Sequence, residues 1–400
     1  MRLTRIFPGV LLLFASAIPG FAQSSLTDFQ RLMREKAAFD ATDLAALQLN
    51  QPIVRLSPSS DKREVAVSGI VNVRAAAEEF LRSYRESMTR KSNAAILEIG
   101  SFASVPSLAD LQNLTVEAGD IEDLRDCTVG DCQVKLSAAM IERFRKEIDW
   151  DSPEYAAGVT NLFKQILLDY VRDYRARGDA ALIAYNDKRN EVSLAHEMRT
   201  LASASGYING VLADKQSGLQ LVEDVIVWSK IKFGLKPVLA INHIKIYRRD
   251  RDAGPQVLIA SKQIYANHYF NASHALTAFV SVPDAIPGAF LVYENRSIAD
   301  GLEGPFSKIK REVVEKKAVE GLRTILQHSK SSLEGTVLTA STAEFASYQS
   351  YSWGRRLFGG IRPLLWLLVA SGLIAFFALG RRRTETANAR KALNPERVKS

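Results

Sequence analysis

A run of seventeen uncharged residues near the C-terminus, Pro363 to Leu379, most limits what this chain can fold into. As a helix it would be roughly 26 Å long, close to the thickness of a hydrocarbon core. Three arginines at 381–383 follow it, so the positive-inside rule predicts a basic cytoplasmic tail over residues 381–400. We therefore expect residues 361–380 to cross the membrane once. A buried core helix is the alternative, and the arginines at its edge disfavour it.

The N-terminus predicts export. Two arginines precede a short apolar run, and Gly20 and Ala22 are small residues at the −3 and −1 positions of a cleavage after residue 22. This pattern is typical of a secretory signal peptide over residues 1–22, with an uncleaved membrane helix as the alternative. Both ends together predict a single-pass protein of the bacterial cell membrane, with most of the chain on the extracytoplasmic side.

Between these ends the sequence divides into three parts. Residues 23–60 are interpreted as an N-terminal helical segment with a linker, residues 61–335 as the exported domain, and residues 336–360 as a juxtamembrane tether rich in Ser, Thr and Ala. The net charge of +8 is partly explained by the tail and the signal peptide. Since no basic block is interleaved with aromatic residues in the exported part, we expect no nucleic-acid partner.

The chain has two cysteines, Cys127 and Cys132. An exported protein experiences oxidising conditions, which favour a disulfide, and Gly130 permits the turn that would close it. So short a loop would contribute about 2 kcal/mol. The spacing does not fit a C-x-x-C redox or haem motif, and no nearby His or Cys completes a zinc site. Free thiols remain the alternative.

Hydrophobic periodicity predicts the order of elements in the exported domain. Strands are expected at 64–73, 94–103, 113–118, 132–136, 236–249, 255–282 and 288–297. Helices are expected at 24–49, 74–90, throughout a block at about 137–204, and at about 305–334. Within the block, Ser152 and Pro153 predict the start of a helix that ends at Gly178.

These elements predict an α+β fold, in which a curved antiparallel sheet packs on a long C-terminal helix, with a helical insertion at about 137–222. The apolar stripe of that helix includes Phe306, Val314, Leu322 and Leu326. The stripe should lie against the sheet, because one face of an amphipathic helix must be buried. We expect the basic face of the helix to be solvated, and adsorption to anionic lipid is the alternative.

This order of elements resembles the START-type, or SRPBCC, helix-grip fold. GIVNVRAAAEEFLRSYRES matches the opening strand and helix, and FSKIKREVVEKKAVEGLRTIL matches the gripping helix. The resemblance covers roughly residues 64–136 and 223–334 and rests on order and periodicity, with no diagnostic motif. It implies a sheet wrapped around the helix and an apolar cavity between them. The helical block at 137–222 departs from the family's pattern.

Sequence motifs of the common enzyme classes are absent. The chain has no nucleophile elbow, P-loop, dinucleotide fingerprint or zincin signature, so we assign no catalytic residue, cofactor or metal ligand. Polar and aromatic residues of the late strands are instead candidates for ligand binding: His243, Tyr247, Tyr265, His268, His274, Glu294 and Arg296. A period of two places His268 and His274 on one face of their strand and Tyr265 on the other. The two histidines would be about 20 Å apart, too far to share a metal unaided.

The sequence thus predicts a membrane-anchored exported protein that binds an apolar or lipid-like ligand between sheet and helix. An envelope scaffold that binds another envelope protein, with side chains filling its interior, is the second hypothesis. An enzyme that uses the strand histidines and Glu294 is the third.

Overall fold

The computed structural model describes residues 51–89, 95–204, 218–232, 236–249, 254–281, 289–304 and 307–335, together with Met33, Phe39, Asp40, Thr42 and Asp43. The predicted signal peptide, tether, transmembrane segment and tail lie outside these residues, as does most of the predicted helix at 24–49. Within the described part, no helix has the length and apolar character needed to span a membrane.

The fold is α+β, with a large antiparallel sheet and, in the described ranges, six α-helices. The strands are β1 (Ile53–Leu56), β2 (Glu64–Val73), β3 (Ile96–Phe102), β4 (Ala184–Tyr185), β5 (Val192–Ser193), β6 (Gln220–Ile231), β7 (Val238–Arg248), β8 (Gly254–Ala266), β9 (Phe270–Ser281) and β10 (Ala289–Ala299). The helices are α1 (Ala77–Thr89), α2 (Ala118–Arg125), α3 (Ala138–Glu147), α4 (Tyr155–Arg177), α5 (Leu194–Ala204) and α6 (Ser307–Leu333).

Eight strands form one sheet in the order β1-β2-β10-β9-β8-β7-β6-β3, and every neighbouring pair is antiparallel. Strands β6 to β10 form a meander, and the last of them pairs with β2, so Tyr293 lies opposite Gly69. Strands β4 and β5 pair separately. Strands β1 and β3 form the two edges of the sheet.

Most of the strongly periodic segments are confirmed. Strand β2 has the predicted bounds, β3, β7 and α1 lie within the predicted ranges, and β10 extends two residues beyond its predicted end at 297. The single strand predicted at 255–282 is wrong, because β8 and β9 are joined by a tight turn at residues 267–269. Tyr269 in this turn has a φ of 61°, which is uncommon for a non-glycine residue. The turn therefore lacks the Gly or Pro that normally reveals one in a sequence.

Two short strand predictions, at 113–118 and 132–136, are also wrong. Thr115 donates its backbone N–H to the Glu98 carboxylate, and Lys135 donates its own to the Asn267 carbonyl. These segments are mostly loops whose backbone hydrogen bonds go to scattered partners. Leu114 and Val134 are buried in them, whereas Asn113 and Thr115 are exposed. Short apolar runs cannot distinguish a strand from such a loop.

The helical block at 137–204 is confirmed for α3, α4 and α5, with two corrections. Helix α4 begins at Tyr155 after Glu154, because residues 152–154 form a turn, and it ends at Gly178 as predicted. The helix predicted to continue through residues 179–188 is absent there, and the short strand β4 lies in its place.

One face of the sheet, here called the α6 face, packs against α1 and α6. Val67 and Leu291 point to this face, and Leu322 and Leu326 of α6 lie directly over Gly69. A Cβ atom at Gly69 would lie 2.6 Å from Leu326, so the glycine permits the close approach of the helix.

The opposite face, here called the α4 face, is covered by two apolar clusters. At one end, Trp228 and Ile241 pack with α3, α4 and α5. At the other end, Leu276 and Phe290 pack with residues that include Phe39. Between these two clusters, a row of polar side chains extends from strand to strand across the sheet.

Candidate functional site

Three polar side chains lie together on the α6 face, one on each of three adjacent strands. Ser229 is on β6, Asn242 on β7 and Gln263 on β8. Asn242 is directly opposite Gln263, and Ser229 is opposite Ala240, one pair further along the same face. Directly opposed Cβ atoms are about 5 Å apart and diagonal ones about 7–8 Å, so the three residues form one group. We call this group the neutral polar patch.

The neutral polar patch is buried and leaves hydrogen-bonding capacity unused. Ser229, Asn242 and Gln263 are 0%, 2% and 1% exposed. The Ser229 hydroxyl, Asn242 Oδ1 and both amide atoms of Gln263 have no hydrogen-bond partner among the residues that the structure describes. Buried polar side chains are normally bonded, and each unpartnered group costs about 1–3 kcal/mol. The patch therefore offers hydrogen bonds that the described part of the chain does not use.

Neighbouring polar residues on the same face form a closed network. Ser273 Oγ and Ser297 Oγ are 2.6 Å apart, and the Ser297 hydroxyl donates to Asn295 Oδ1 over 2.9 Å. The sheet can thus satisfy buried polar groups on this face. The Tyr293 hydroxyl on the same face also lacks a hydrogen-bond partner among the described residues, so unused polar atoms on this face are not confined to the patch.

The α6 face is apolar further along the strands, towards the start of β8. Phe80 of α1 stacks on Phe279 of β9, with ring centroids 5.4 Å apart. The Tyr293 side chain is 3% exposed, and burial raises the pKa of its hydroxyl well above the ordinary range, so the group stays neutral. An apolar enclosure with a few convergent polar groups is the usual character of a small-molecule site.

The predicted site residues His243, His274 and Arg296 lie on the α4 face instead. With Lys262 they occupy directly opposed positions on β7, β8, β9 and β10, one beside the next. We call these four residues the charged row. The register brings together histidines that are 31 residues apart in the sequence, and it places Glu294 two residues from Arg296 on the same face.

Arg296 is the centre of a buried ion-pair cluster. Its side chain is 2% exposed, its Nε lies 2.8 Å from Glu64 Oε1, and its Nη1 lies 3.3 Å from Glu294 Oε1. Its Nη2 donates to the Pro58 carbonyl over 2.7 Å. The positive charge of Arg296 is therefore balanced by two buried carboxylates, those of Glu64 and Glu294.

His243 lies between a tyrosine and a carboxylate. Its Nδ1 is 2.8 Å from the Tyr174 hydroxyl of α4, and its Nε2 is 2.8 Å from Asp224 Oδ1. Burial lowers the pKa of His243, and the hydrogen bond to Asp224 opposes part of that effect. Lys262 pairs with Asp179 and lies over the Tyr174 ring.

His274 differs from the rest of the charged row, because its Nδ1 is buried and has no hydrogen-bond partner in the described part of the chain. Burial, helped by the charge of Lys262, lowers the pKa of His274 to about 4. The imidazole is therefore neutral at pH 7. Its burial and the nearby charge of Lys262 both disfavour protonation of the ring.

His268 lies in the β8–β9 turn, away from the charged row. Its Nε2 is 2.9 Å from Asp120 Oδ2 in α2, and Asn267 and Lys236 also bind that carboxylate. Burial alone would raise the pKa of Asp120, but His268 and Lys236 together lower it. These contacts attach the turn to α2.

A pocket of about 240 Å³, open mouth included, lies beside this cluster and is lined in part by Asp120, Asn267 and Lys230. Lys230 is held by Glu98 and Glu117, at 2.7 and 2.9 Å. The pocket is below the usual size of a ligand site.

The two predicted tyrosines are separate from each other. Tyr265 is fully buried in the cluster with α4, and its hydroxyl donates to the Lys135 carbonyl over 3.1 Å. Tyr247 packs, partly buried, against the apolar cluster that contains Met33 and Phe39. Neither lies in the charged row or the neutral polar patch.

Cys127 and Cys132 are joined at disulfide distance, as predicted, with Cα atoms 4.5 Å apart. Gly130 has a φ of 90° in the turn between them, where its flexibility is required. Within the described ranges, no group of three or more His, Cys, Asp or Glu side chains is placed to hold a metal ion.

Sequence reasoning missed the neutral polar patch, although its signal is present. Residues 225, 227, 229 and 231 alternate toward the α6 face as Val, Val, Ser and Ile, and residues 240, 242 and 244 as Ala, Asn and Ile. A polar residue in a buried position of an alternating strand marks an interior polar group.

Comparison of this chain with protein-family models, with curated proteins and with solved structures finds no match.

Proposed function

We propose that this chain is an exported, membrane-anchored protein that binds an apolar or lipid-like ligand between the α6 face and helices α1 and α6. The carrying observation is the neutral polar patch, where buried side chains of the α6 face offer hydrogen bonds that the described residues do not use. Such groups orient a ligand whose remaining surface is apolar. The predicted signal peptide and membrane segment would place this site on the extracytoplasmic side.

The helix-grip arrangement is part of this proposal, and the topology supports it. Strand β2 pairs with the last strand, β10, and α6 follows β10 and lies over β2. Lys330 near the end of α6 donates to the Asn72 carbonyl, while Arg311 near its start bonds to the carbonyls of residues 61 and 62. Helix α6 therefore runs along the length of β2, as a gripping helix would.

In this proposal the insertion contains α2 to α5 and therefore begins before the predicted bound of about 137, because α2 starts at Ala118. Helix α4 contacts the sheet from the α4 face, where Tyr170 donates to the Ile264 carbonyl over 2.6 Å. The described helices of the insertion therefore pack on the α4 face, away from α1 and α6. The seven residues predicted from the sequence remain candidates for contacts on the α4 face or at its edge.

A direct test is to purify the full-length chain from membranes, extract it with organic solvent and identify what is released by mass spectrometry. Ser229→Leu is the blocking variant, because leucine would occupy space at the patch. Ser203→Leu, at the exposed end of α5, is the matched control. We expect a co-purifying apolar species in the wild type and the control, reduced about tenfold in Ser229→Leu, which corresponds to about 1.4 kcal/mol.

Repeatedly empty preparations of the wild type would contradict the proposal and favour the scaffold hypothesis. In that case the interior is filled by side chains, and Ser229→Leu would instead cost about 1–3 kcal/mol through overpacking. Thermal unfolding of the variant separates these two outcomes.

A further inference from the structure

We propose that the end of the ligand that reaches the neutral polar patch is uncharged and both donates and accepts hydrogen bonds, as an alcohol or a primary amide does. This inference rests on the proposed function and names the chemical class of its ligand. Three observations carry it: the positions of charged residues on the α6 face, the buried residues of helices α1 and α6, and the hydrogen-bond donors and acceptors of the patch.

The described strands direct two charged side chains to the α6 face, and both lie at its outer end. Glu223 of β6 pairs with Arg85 of α1, and Arg248 of β7 pairs with Glu78 of α1. Both positions are at the ends of their strands, away from Asn242 and Gln263. These two ion pairs therefore connect α1 to the outer end of the α6 face, and both charges are neutralised there.

The helices add no charge to the enclosure. The buried residues of α1 include Phe80, Tyr84 and Ser87, and those of α6 include Leu322 and Ser329. All side chains that the described parts of these two helices bury are apolar or carry a hydroxyl. A carboxylate, phosphate or ammonium group at the patch would therefore be buried without a counter-charge, at a cost of several kcal/mol.

The patch needs a partner that donates as well as accepts. Asn242 Oδ1 and Gln263 Oε1 are acceptors, Gln263 Nε2 is a donor, and the Ser229 hydroxyl can act as either. A ketone or an ester only accepts and would leave both amide oxygens unsatisfied. An alcohol or a primary amide has a donor for these oxygens and an acceptor for the Gln263 amide group.

The test uses four probes with the same hydrocarbon chain: hexadecanol, hexadecanamide, hexadecanoate and hexadecylamine. The full-length chain is held in amphipol at pH 7, and the rise in its unfolding temperature with each probe gives an apparent affinity. We expect the alcohol and the amide to bind at least about tenfold more tightly than the acid and the amine, a difference of about 1.4 kcal/mol.

Gln263→Leu should abolish this preference, because it removes the donor and one acceptor. Gln165→Leu on α4, where the wild-type amide donates to Asp169 over 2.7 Å, is the matched control and should keep it. Equal binding of charged and neutral probes, or an unchanged preference in Gln263→Leu, would overturn this inference while leaving the proposed function intact. If none of the four probes stabilises the wild type, the proposed function itself fails.

Discussion

On strands β7 and β8, the two faces of the large sheet carry polar residues at the same level, but the hydrogen bonding of these residues differs between the faces. Asn242 and Gln263 point to the α6 face, are neutral and have hydrogen-bonding atoms that no described residue contacts. Their chain neighbours His243 and Lys262 point to the α4 face and are held by Tyr174, Asp224 and Asp179. A buried polar group with a partner in the fold stabilises the fold, whereas one without a partner is a candidate for binding.

The largest effect should come from the α4 face. Replacing Arg296 by Met leaves Glu64 and Glu294 buried without their cation, so Arg296→Met should lower the free energy of unfolding by about 3–5 kcal/mol. Urea unfolding of the full-length chain measures this. Arg145→Met is the control, because Arg145 forms an exposed pair with Glu142 and should cost at most about 1 kcal/mol. Equal losses in both variants would show that the charged row contributes no more than a surface pair.

The next effect is the pH dependence that His274 imposes. Its pKa falls from 6.5 in the unfolded chain to about 4 in the folded one, so below pH 6.5 the unfolded state binds a proton that the folded state does not. Stability should therefore decrease as the pH falls from 6.5 to 4, by up to about 3 kcal/mol at about 1.36 kcal/mol per pKa unit. Unfolding temperatures measured across this window test the expectation.

His274→Gln removes the titrating group and should flatten that part of the pH profile. His196→Gln, at an exposed position of α5, should leave the profile unchanged. A profile that is the same in wild type and His274→Gln would show that the imidazole is not held in the neutral form by Lys262 and its burial.

A smaller and more local effect is expected for the disulfide. The double variant Cys127→Ser, Cys132→Ser opens a loop of a few residues, so it should cost about 2 kcal/mol of unfolding free energy. Since the loop lies on the α4 side, probe binding at the α6 face should be unchanged. Loss of probe binding in this variant would show that the two faces are coupled.

The smallest effect should have the opposite sign. Gln263→Leu removes a buried amide whose two polar atoms lack partners in the described chain, so it should raise the stability of the ligand-free protein by about 1 kcal/mol. The control Gln165→Leu should stay within about 0.5 kcal/mol of wild type. A clear loss of stability in Gln263→Leu would contradict the assignment of Gln263 as a binding group.

The sequence predicts elements well where periodicity is local. Strand β2 and helix α1 follow from spacings of two and 3.6 residues, which need no knowledge of the rest of the chain. The β8–β9 turn does not follow, because Tyr269 adopts a positive φ that tertiary contacts impose. Loop segments such as 132–136 have strand-like patterns only because they are buried.

The site was less predictable for a different reason. The alignment of His243, His274 and Arg296 depends on strand register. Their position on the α4 face depends on the side of the sheet against which each helix packs. Neither can be read from the composition of one strand. The position of Asn242 within an apolar alternation does mark an interior polar group, but the missing partner is visible only when neighbouring strands are in place.

The most direct test of the central claim is an experimental density map of the full-length chain, purified without removal of lipid. The account predicts density from a bound molecule between the sheet and helices α1 and α6, within hydrogen-bonding distance of the Gln263 amide. Side chains that fill this space and bond to Asn242 and Gln263 themselves would contradict it.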